Sequence, residues 1–490
     1  MWRKILEFLK GGMVRLGLTR SIASVAEHRD IYINEDMYNN IDVWKALYAG
    51  YYSEWHDVRY QTIDGPKNRK MMTLNMAKTS AAEMASLVYN EKCEISIDND
   101  AVADFVNDVL KKNKFDKKFQ DFLEYSFAHS GMAIKPYVEN DKMKLSFVTA
   151  DCFIPIAWSN ETITEAVFVN ETRKGNKKYT LLEWHTWEND TYTVTNELYE
   201  SSGAELGKQV PLDVLYPNLE PVVGMPRVKK PIFVYFKPNT ANNIDIQSPL
   251  GISIFANALD TMRAIDTAYD SFHREFKLGR KRIVVPAHMI RHVIDPATGE
   301  QHRYFDDSDE TYEAFSFGED SDEIRDISAS LRVNEHIAGI NALLNLFAMQ
   351  TGFSAGTFTF DGESMKTATE VVSEQSKTFK SKKSHEIIIE AALQELIGSI
   401  VDLGQLYGLV TAPDDYEVTV TFDDSIVEDQ NAELTKIIQE LSNKITPRKV
   451  AIMRYHGLTE KEAEDWMQEI NEENATATRE SVNFFGGRGD

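Results

Sequence analysis

The chain has 490 residues, 42% hydrophobic, 27% charged and 11% aromatic, with a formal net charge of −24. That length suits roughly two to four structural units with sizeable cores; the composition excludes a disordered chain, and no apolar run reaches the roughly 18 residues of a membrane span. So large an acidic excess also excludes a protein that grips nucleic acid through massed Lys and Arg, so that a nucleic acid would be repelled or guided rather than held.

The N-terminal MWRKILEFLKGGMVRLGLTR is basic and amphipathic, but Gly11 and Gly12 divide it and its apolar residues do not run on as a signal-peptide core, so no export is expected. Two cysteines, Cys93 and Cys152, give no disulfide framework and fit a reducing compartment. The aromatic stretch VWKALYAGYYSEWHDVRY predicts a helix, LNMAKTSAAEMASLVYNEKCEISID a helix running into a short strand, and the segment from Asp98 to about His129 a helical pair. From Met132 to Tyr199 the period becomes alternating. The runs MAIKPYV, KMKLSFV, ITEAVFV, YTLLEWHTW and TYTVTNELY are separated by turn residues, among them Asn140-Asp141 and Asn189-Asp190, which predicts one antiparallel meander. The proline-rich stretch from Pro211 to Pro238 reads as a connection to a different unit.

That unit is expected to open at Ser248-Pro249, a capping serine followed by proline at the first helical position. Phe255, Leu259, Met262, Ile265, Tyr269, Phe272 and Phe276 then recur every three or four residues, and Arg274, Lys277, Arg280, Lys281 and Arg282 close the helix. A β-rich excursion follows, with 12 acidic and 2 basic side chains between Asp295 and Ser328. A second helix returns from about Ser330 to Gln350, with a narrow seam of Val333, Ile337, Ile340, Leu344 and Phe347. Two seamed helices flanking an acidic excursion predict a stalk with a tip.

The loop TGFSAGTFTFDGESM, punctuated by Gly352, Gly356 and Gly362, leads into about 40 proline-free residues that predict one long helix. Its glycines and phenylalanines suit a loop both ordered and movable. The helix is polar and basic as far as His385 and densely apolar from Ile387 onward. Lys377, Lys380 and Lys383 share a stripe that would face a channel, a neighbouring subunit's carboxylates or solvent. YEVTVTF is one more strand, and LTKIIQELSNK, TPRKVAIMRYHG and TEKEAEDWMQEINEE predict three helices in a region, 414–490, holding 18 acidic and 8 basic side chains.

This order of parts resembles phage portal proteins, specifically the A118-like portal family of tailed phages of Gram-positive hosts. The carriers are SLVYNEKCEISID, GMAIKPYV, DCFIPIAW, SPLGISIFANALDTMRAIDTAYDSF and TGFSAGTFTFDGESMKTATEV, whose collinearity covers most of the chain. The resemblance implies an α+β portal-type fold. Its parts would be an N-terminal segment and wing of helices and antiparallel meander (1–247), a first stem helix (248–280), a β-rich clip (281–329) and a second stem helix (330–350). A tunnel loop (351–366), a long body helix with the following strand (367–429) and a helical crown (430–475) would follow; the first twenty residues and the tail (476–490), whose small, polar, glycine-rich composition predicts disorder, match no part. It also implies a dodecameric ring at one capsid vertex of the virion, conducting double-stranded DNA during packaging and ejection. The ring would dock the terminase large subunit and later the head-tail connector, and contact major capsid and scaffolding proteins, with no membrane and no cofactor. By the same resemblance Gly352, Phe353, Gly356, Phe358, Phe360, Gly362, Lys366, Lys377, Lys380 and Lys383 fall on the DNA channel. Asp295, Glu300, Arg303, Asp306 and Asp307 fall on the motor-docking clip. The stem interface takes Phe255, Leu259, Met262, Tyr269, Phe272, Val333, Ile337, Ile340, Leu344 and Phe347.

No catalytic signature stands beside these parts. The chain has no Gly-x4-Gly-Lys-Ser/Thr loop, no His-Glu-x2-His and no Cys-x2-Cys, and His288 with His292 lack a third ligand nearby. The competing readings are a carboxylate-based hydrolase, for which Asp260 with Asp266 or Asp306 with Asp307 would be the couple, and a different virion structural or adaptor protein. The expectation is a structural protein rather than an enzyme.

Overall fold

The computed structural model describes residues 31–279 almost throughout, 330–360, most of 368–422 and 437–456, with short strands between 283 and 326; in the helix that starts at Ala368, side chains are described from Lys377 on. The chain divides into two units, one of residues 1–365 with 374–423 and one of 366–373 with 424–490. The fold is α+β.

In the first unit, α1 (Glu35–Tyr48) is capped by Asn34, whose side chain accepts the N–H groups of Asp36 and Met37. The helix predicted through VWKALYAGYYSEWHDVRY therefore stops at Tyr48, because Gly50 turns the chain at φ +77°; a single turn at Ser53–His56 and strand β1 (Asp57–Thr62) follow. β1 pairs with β2 (Gly65–Lys70), and α2 (Met76–Val88) then leads to β3 (Glu94–Ile97). The expected helical pair is present as α3 (Asp100–Lys112) and α4 (Phe115–His129). Along α4, Phe115, Phe119, Leu123 and Phe127 fall at steps of four on one buried stripe.

The predicted meander is two sheets, not one. β4 (Met132–Glu139) and β5 (Lys142–Thr149) form the first, whereas β6 (Phe153–Ser159), β7 (Thr162–Lys174), β8 (Lys177–Glu188) and β9 (Thr191–Ser201) form the second. The turns fall where their residues predicted, with Asn140, Asp141, Asn189 and Asp190 all at positive φ. The chain changes sheet through a helical turn at Ala150–Cys152. The proline-rich stretch is also more than a connection. Its β10 (Lys208–Val210) and β11 (Val222–Met225) both pair with β9, and β12 (Val234–Phe236) pairs with β4.

A buried relay joins the sheets. Lys135 of β4 pairs with Glu183 of β8 and lies 4.4 Å over the Phe168 ring of β7. The Nε2–H of His185 donates to Glu183 at 2.8 Å, which leaves Nδ1 to accept the Tyr192 hydroxyl at 2.8 Å. Burial pushes the Glu183 carboxyl up, but Lys135 and His185 outweigh it and hold the group well below the usual carboxylate range.

The first stem helix does not open at Ser248-Pro249. It is α5 (Leu259–Leu278), and residues 248–258 run as buried irregular chain ending in one turn at Ala256–Ala258. This stretch is used to close α4: Ile254 N–H and the Ser253 hydroxyl both donate to Phe127 O, at 3.0 and 3.2 Å. Gly251 fits because its Cβ would stand 2.4 Å from Ser130 O. After α5 come β13 (Ile283–Pro286), β14 (Val293–Ile294), β15 (Gln301–His302), β16 (Tyr312–Phe315) and β17 (Arg325–Asp326). β13 pairs with β16 in parallel and with β17 antiparallel, and β14 pairs with β15. α6 (Val333–Gln350) returns, α7 (Ala368–Leu406) is the long helix, and β18 (Val418–Thr421) pairs with β3. α7 ends at Gly408, φ +66°, where Leu409 N–H reaches Gly404 O at 2.8 Å and Gly408 N–H reaches Gln405 O at 3.1 Å.

In the second unit, residues 437–442 are helical and α8 (Arg448–His456) starts just after Pro447. Much of the third helix expected there, and the tail 476–490, lie outside the described residues. Among the described residues no helix is long and apolar enough to cross a membrane.

The buried face of α5 is Thr261, Met262, Ile265, Asp266 and Asp270, of which only Met262 and Ile265 belong to the apolar stripe read from the sequence. Asp270 takes two bonds of 2.6 Å from the Arg69 guanidinium and a third from Met72 N–H at 3.2 Å. Asp266 accepts Leu74 N–H at 3.1 Å and lies 3.3 Å from His56 Nε2. Asp270→Ala leaves Arg69 unpaired and is expected to destabilise the protein by roughly 3 kcal/mol, measured by chemical denaturation. The double variant Asp270→Leu with Arg69→Met is expected to recover most of that loss. A neutral single variant would show that the pair does not anchor the helix.

Candidate functional site

The glycine-punctuated loop folds back on the helices around it over 351–360. Gly352, at φ +86°, ends α6, and Phe353 N–H bonds Ala348 O at 2.8 Å while its ring is fully buried. Two asparagines of α6 then hold the loop backbone. Asn345 accepts Gly356 N–H at 2.7 Å and Asn341 accepts Phe360 N–H at 2.8 Å. Ser354 exchanges hydrogen bonds with Thr378 of α7, its N–H donating to the Thr378 hydroxyl at 2.8 Å. Phe358 packs against Phe347 and Phe353, and Phe360 meets Tyr269 and Phe272 of α5 edge to face. Over 351–360 the loop is ordered, tied to α5, α6 and α7 at once. Gly362 and Lys366 lie outside the described residues.

The three lysines of the shared stripe part company. Lys383 pairs with Glu386 at 3.1 Å, beside a fully buried Lys382 that meets the same carboxylate at 2.6 Å. Lys377 is exposed and donates to Met349 O in the last turn of α6, where an ammonium suits the negative helix end. Lys380 is exposed. Lys377 and Lys380 stand on a recess of about 400 Å³ whose other walls include Asn239, Asn257, Gln350, Ser381, Ser384 and His385.

His385 locks this wall. Its ring meets Phe127 of α4 at 4.9 Å, and its Nδ1 accepts Asn239 N–H at 3.0 Å. Burial lowers its pKa to about 4, so the ring is neutral at pH 7 with its proton on Nε2. The Asn239 amide reaches Ser384 Oγ and Ser384 O, both at 2.7 Å. None of these partners was read from the sequence; the one available signal was the asparagine-rich run NTANNIDIQS from Asn239 to Ser248.

The remaining site residues sort by burial. Phe255, Met262, Ile340, Leu344 and Phe347 are buried within the chain itself, and Leu259, Tyr269, Phe272, Val333 and Ile337 are partly covered. The large apolar side chains the stem leaves exposed are others, namely Phe276, Leu278, Leu331, Leu346 and Met349. Asp295, Glu300, Arg303, Asp306 and Asp307 lie outside the described residues, as do His288 and His292. Asp266, one half of the carboxylate couple considered for a hydrolase, is buried and bonded to the chain, whereas Asp260 is exposed. Among the described residues no three His, Cys, Asp or Glu side chains gather as a metal site. A second cavity, about 300 Å³ between the two sheets, is lined by Lys135 and Glu183, which satisfy each other, and by Cys152, whose thiol burial pushes up to about 12.

A family model described as phage portal protein, SPP1 Gp6-like, matches residues 27–476. The chain belongs to the phage portal protein family. The match runs from before α1 through α8 and covers α5, the strands between 283 and 326, α6 and α7. It supports the portal family as a whole, of which the A118-like grouping is a finer division. No curated protein matches the chain. Portal membership gives the protein a structural role in DNA packaging at a bacteriophage capsid vertex.

The buried histidines carry a pH dependence with a definite sign. His385 and His129 both have their pKa lowered by burial to about 4. The unfolded chain therefore takes up protons first, and stability falls as pH drops from about 6.5 towards 4, by roughly 3 kcal/mol for each group. Asp42, pushed up to about 7 by burial, acts in the opposite sense, because the folded chain holds its proton more tightly. His385→Gln is expected to flatten the fall of Tm between pH 7 and 4.5 relative to the parent protein. An unchanged Tm profile would show that His385 is not held neutral.

Proposed function

We propose that the protein is the subunit of a ring, a dodecamer by family analogy, through which double-stranded DNA enters and leaves the capsid. The observation that carries this reading is the family match over 27–476, collinear with the two stem helices and the β-rich excursion between them. Residues 248–280 and 330–350 act as stem, 281–329 as clip, 351–366 as tunnel loop, 367–429 as body helix and strand, 430–475 as crown, and the sheets with the N-terminal helices as wing. Phe276, Leu278, Leu331, Leu346 and Met349 offer the apolar surface a neighbouring copy would cover. The clip docks the terminase large subunit and later the head-tail connector, while the wing meets capsid and scaffolding proteins. The acidic surface keeps a translocating duplex from sticking, and Lys380 gives it a passing hold.

Multi-angle light scattering of purified protein should give a mass many times the 55.8 kDa of one chain. A species that stays monomeric across salt and concentration contradicts the ring. Replacing 282–328 with a short linker should leave a folded chain that no longer recruits the packaging motor. Motor binding that survives the deletion removes the clip assignment.

A further inference from the structure

The recess beside Lys377 and Lys380 differs in charge from the chain around it. None of its lining residues is Asp or Glu, although the chain carries 77 of them against 53 Lys and Arg. Three of its acceptors are already engaged. His385 Nδ1 is filled by Asn239 N–H, Ser384 Oγ by the Asn239 amide, and Asn257 Oδ1 by the Asn243 amide at 2.8 Å. What these groups still offer is donors, namely His385 Nε2–H, the Ser384 hydroxyl and the Asn257 amide N–H groups. Lys377 keeps hydrogens beyond the one given to Met349 O, and neither Lys380 nor Ser381 has a hydrogen bond or ion pair among the described residues. His385 is 6% exposed and fixed as a neutral donor, so its N–H is pre-set rather than recruited.

We propose that this recess is a phosphate seat that takes a backbone phosphate of the duplex in transit. The proposal rests on the portal reading above and deepens it. A phosphodiester has two non-bridging oxygens that share one negative charge and two ester oxygens beside them, so it presents acceptors in more directions than a planar carboxylate and can meet donors on more than one wall. Gly352 keeps the wall open, since a Cβ there would stand 2.8 Å from Ser381 Oγ. One seat per subunit would hold the strand briefly against an otherwise repelling surface.

The test uses the full chain as it assembles. Anisotropy of a short labelled duplex is followed over a salt series, with inorganic phosphate as competitor, and phosphate binding alone is followed by calorimetry. Lys380→Gln, an exposed change, should lower the slope of log affinity against log salt by at least about 0.9 and abolish phosphate binding. Ser384→Ala should weaken both ligands without changing the slope. Phosphate binding without duplex binding would overturn the assignment to DNA. An unchanged slope in Lys380→Gln, with a lighter assembly, would overturn the seat and assign the recess to a neighbouring subunit's carboxylate. A parent protein that stays monomeric yet binds phosphate through Lys380 would contradict the ring and leave the seat standing.

Discussion

The attachment of α5 depends on two carboxylates. α5 places Asp266 and Asp270 one turn apart on the face it buries, and its apolar contribution to that face is small, chiefly Met262 and Ile265. Area burial alone would hold such a helix weakly. The Arg69 fork and the N–H groups of Met72 and Leu74 supply directed bonds instead, which fix rotation as well as position. The Phe360 contacts with Tyr269 and Phe272 carry that placement on to the loop after α6.

The long helix is held by a different device. Its polar half was read as a surface, yet Lys382, His385 and Glu386 are all buried there. Lys382 and Glu386 neutralise one another, and His385 is kept uncharged by burial beside Phe127. A helix can therefore look polar in sequence and still cross a core when its charges are paired within it at spacing i, i+4. This arrangement leaves Lys377 and Lys380 as the ammonium groups on the open side, next to the recess.

Much of the fold was legible in the sequence for plain reasons. The strand alternation, the Asn-Asp turns at 140–141 and 189–190, the helical pair ending at His129 and the length of α7 are local signals, and the structure follows them. What was not legible is tertiary. Ser248-Pro249 has the chemistry of a helix start, but the chain there is needed to satisfy Phe127 O, and that demand outweighs the cap preference. Alternation in β4 to β9 cannot say that a turn at Ala150–Cys152 splits one meander into two sheets. Glycines in the loop after α6 gave no sign of its anchors, since Asn341, Asn345 and Thr378, which bond its backbone over 351–360, are distant in sequence. The recess was half legible: its lysines stood out, and the donors from Asn257 and His385 did not.

The central claim is a ring whose channel is approached by the basic start of the long helix. A cryo-electron microscopy map of the assembled protein tests it most directly. The account predicts a closed ring of identical subunits with an axial channel, the stem pairs running beside it, and Lys380 with its recess facing the channel. A compact particle without a channel, or a ring in which Lys380 is sealed between subunits, would contradict it.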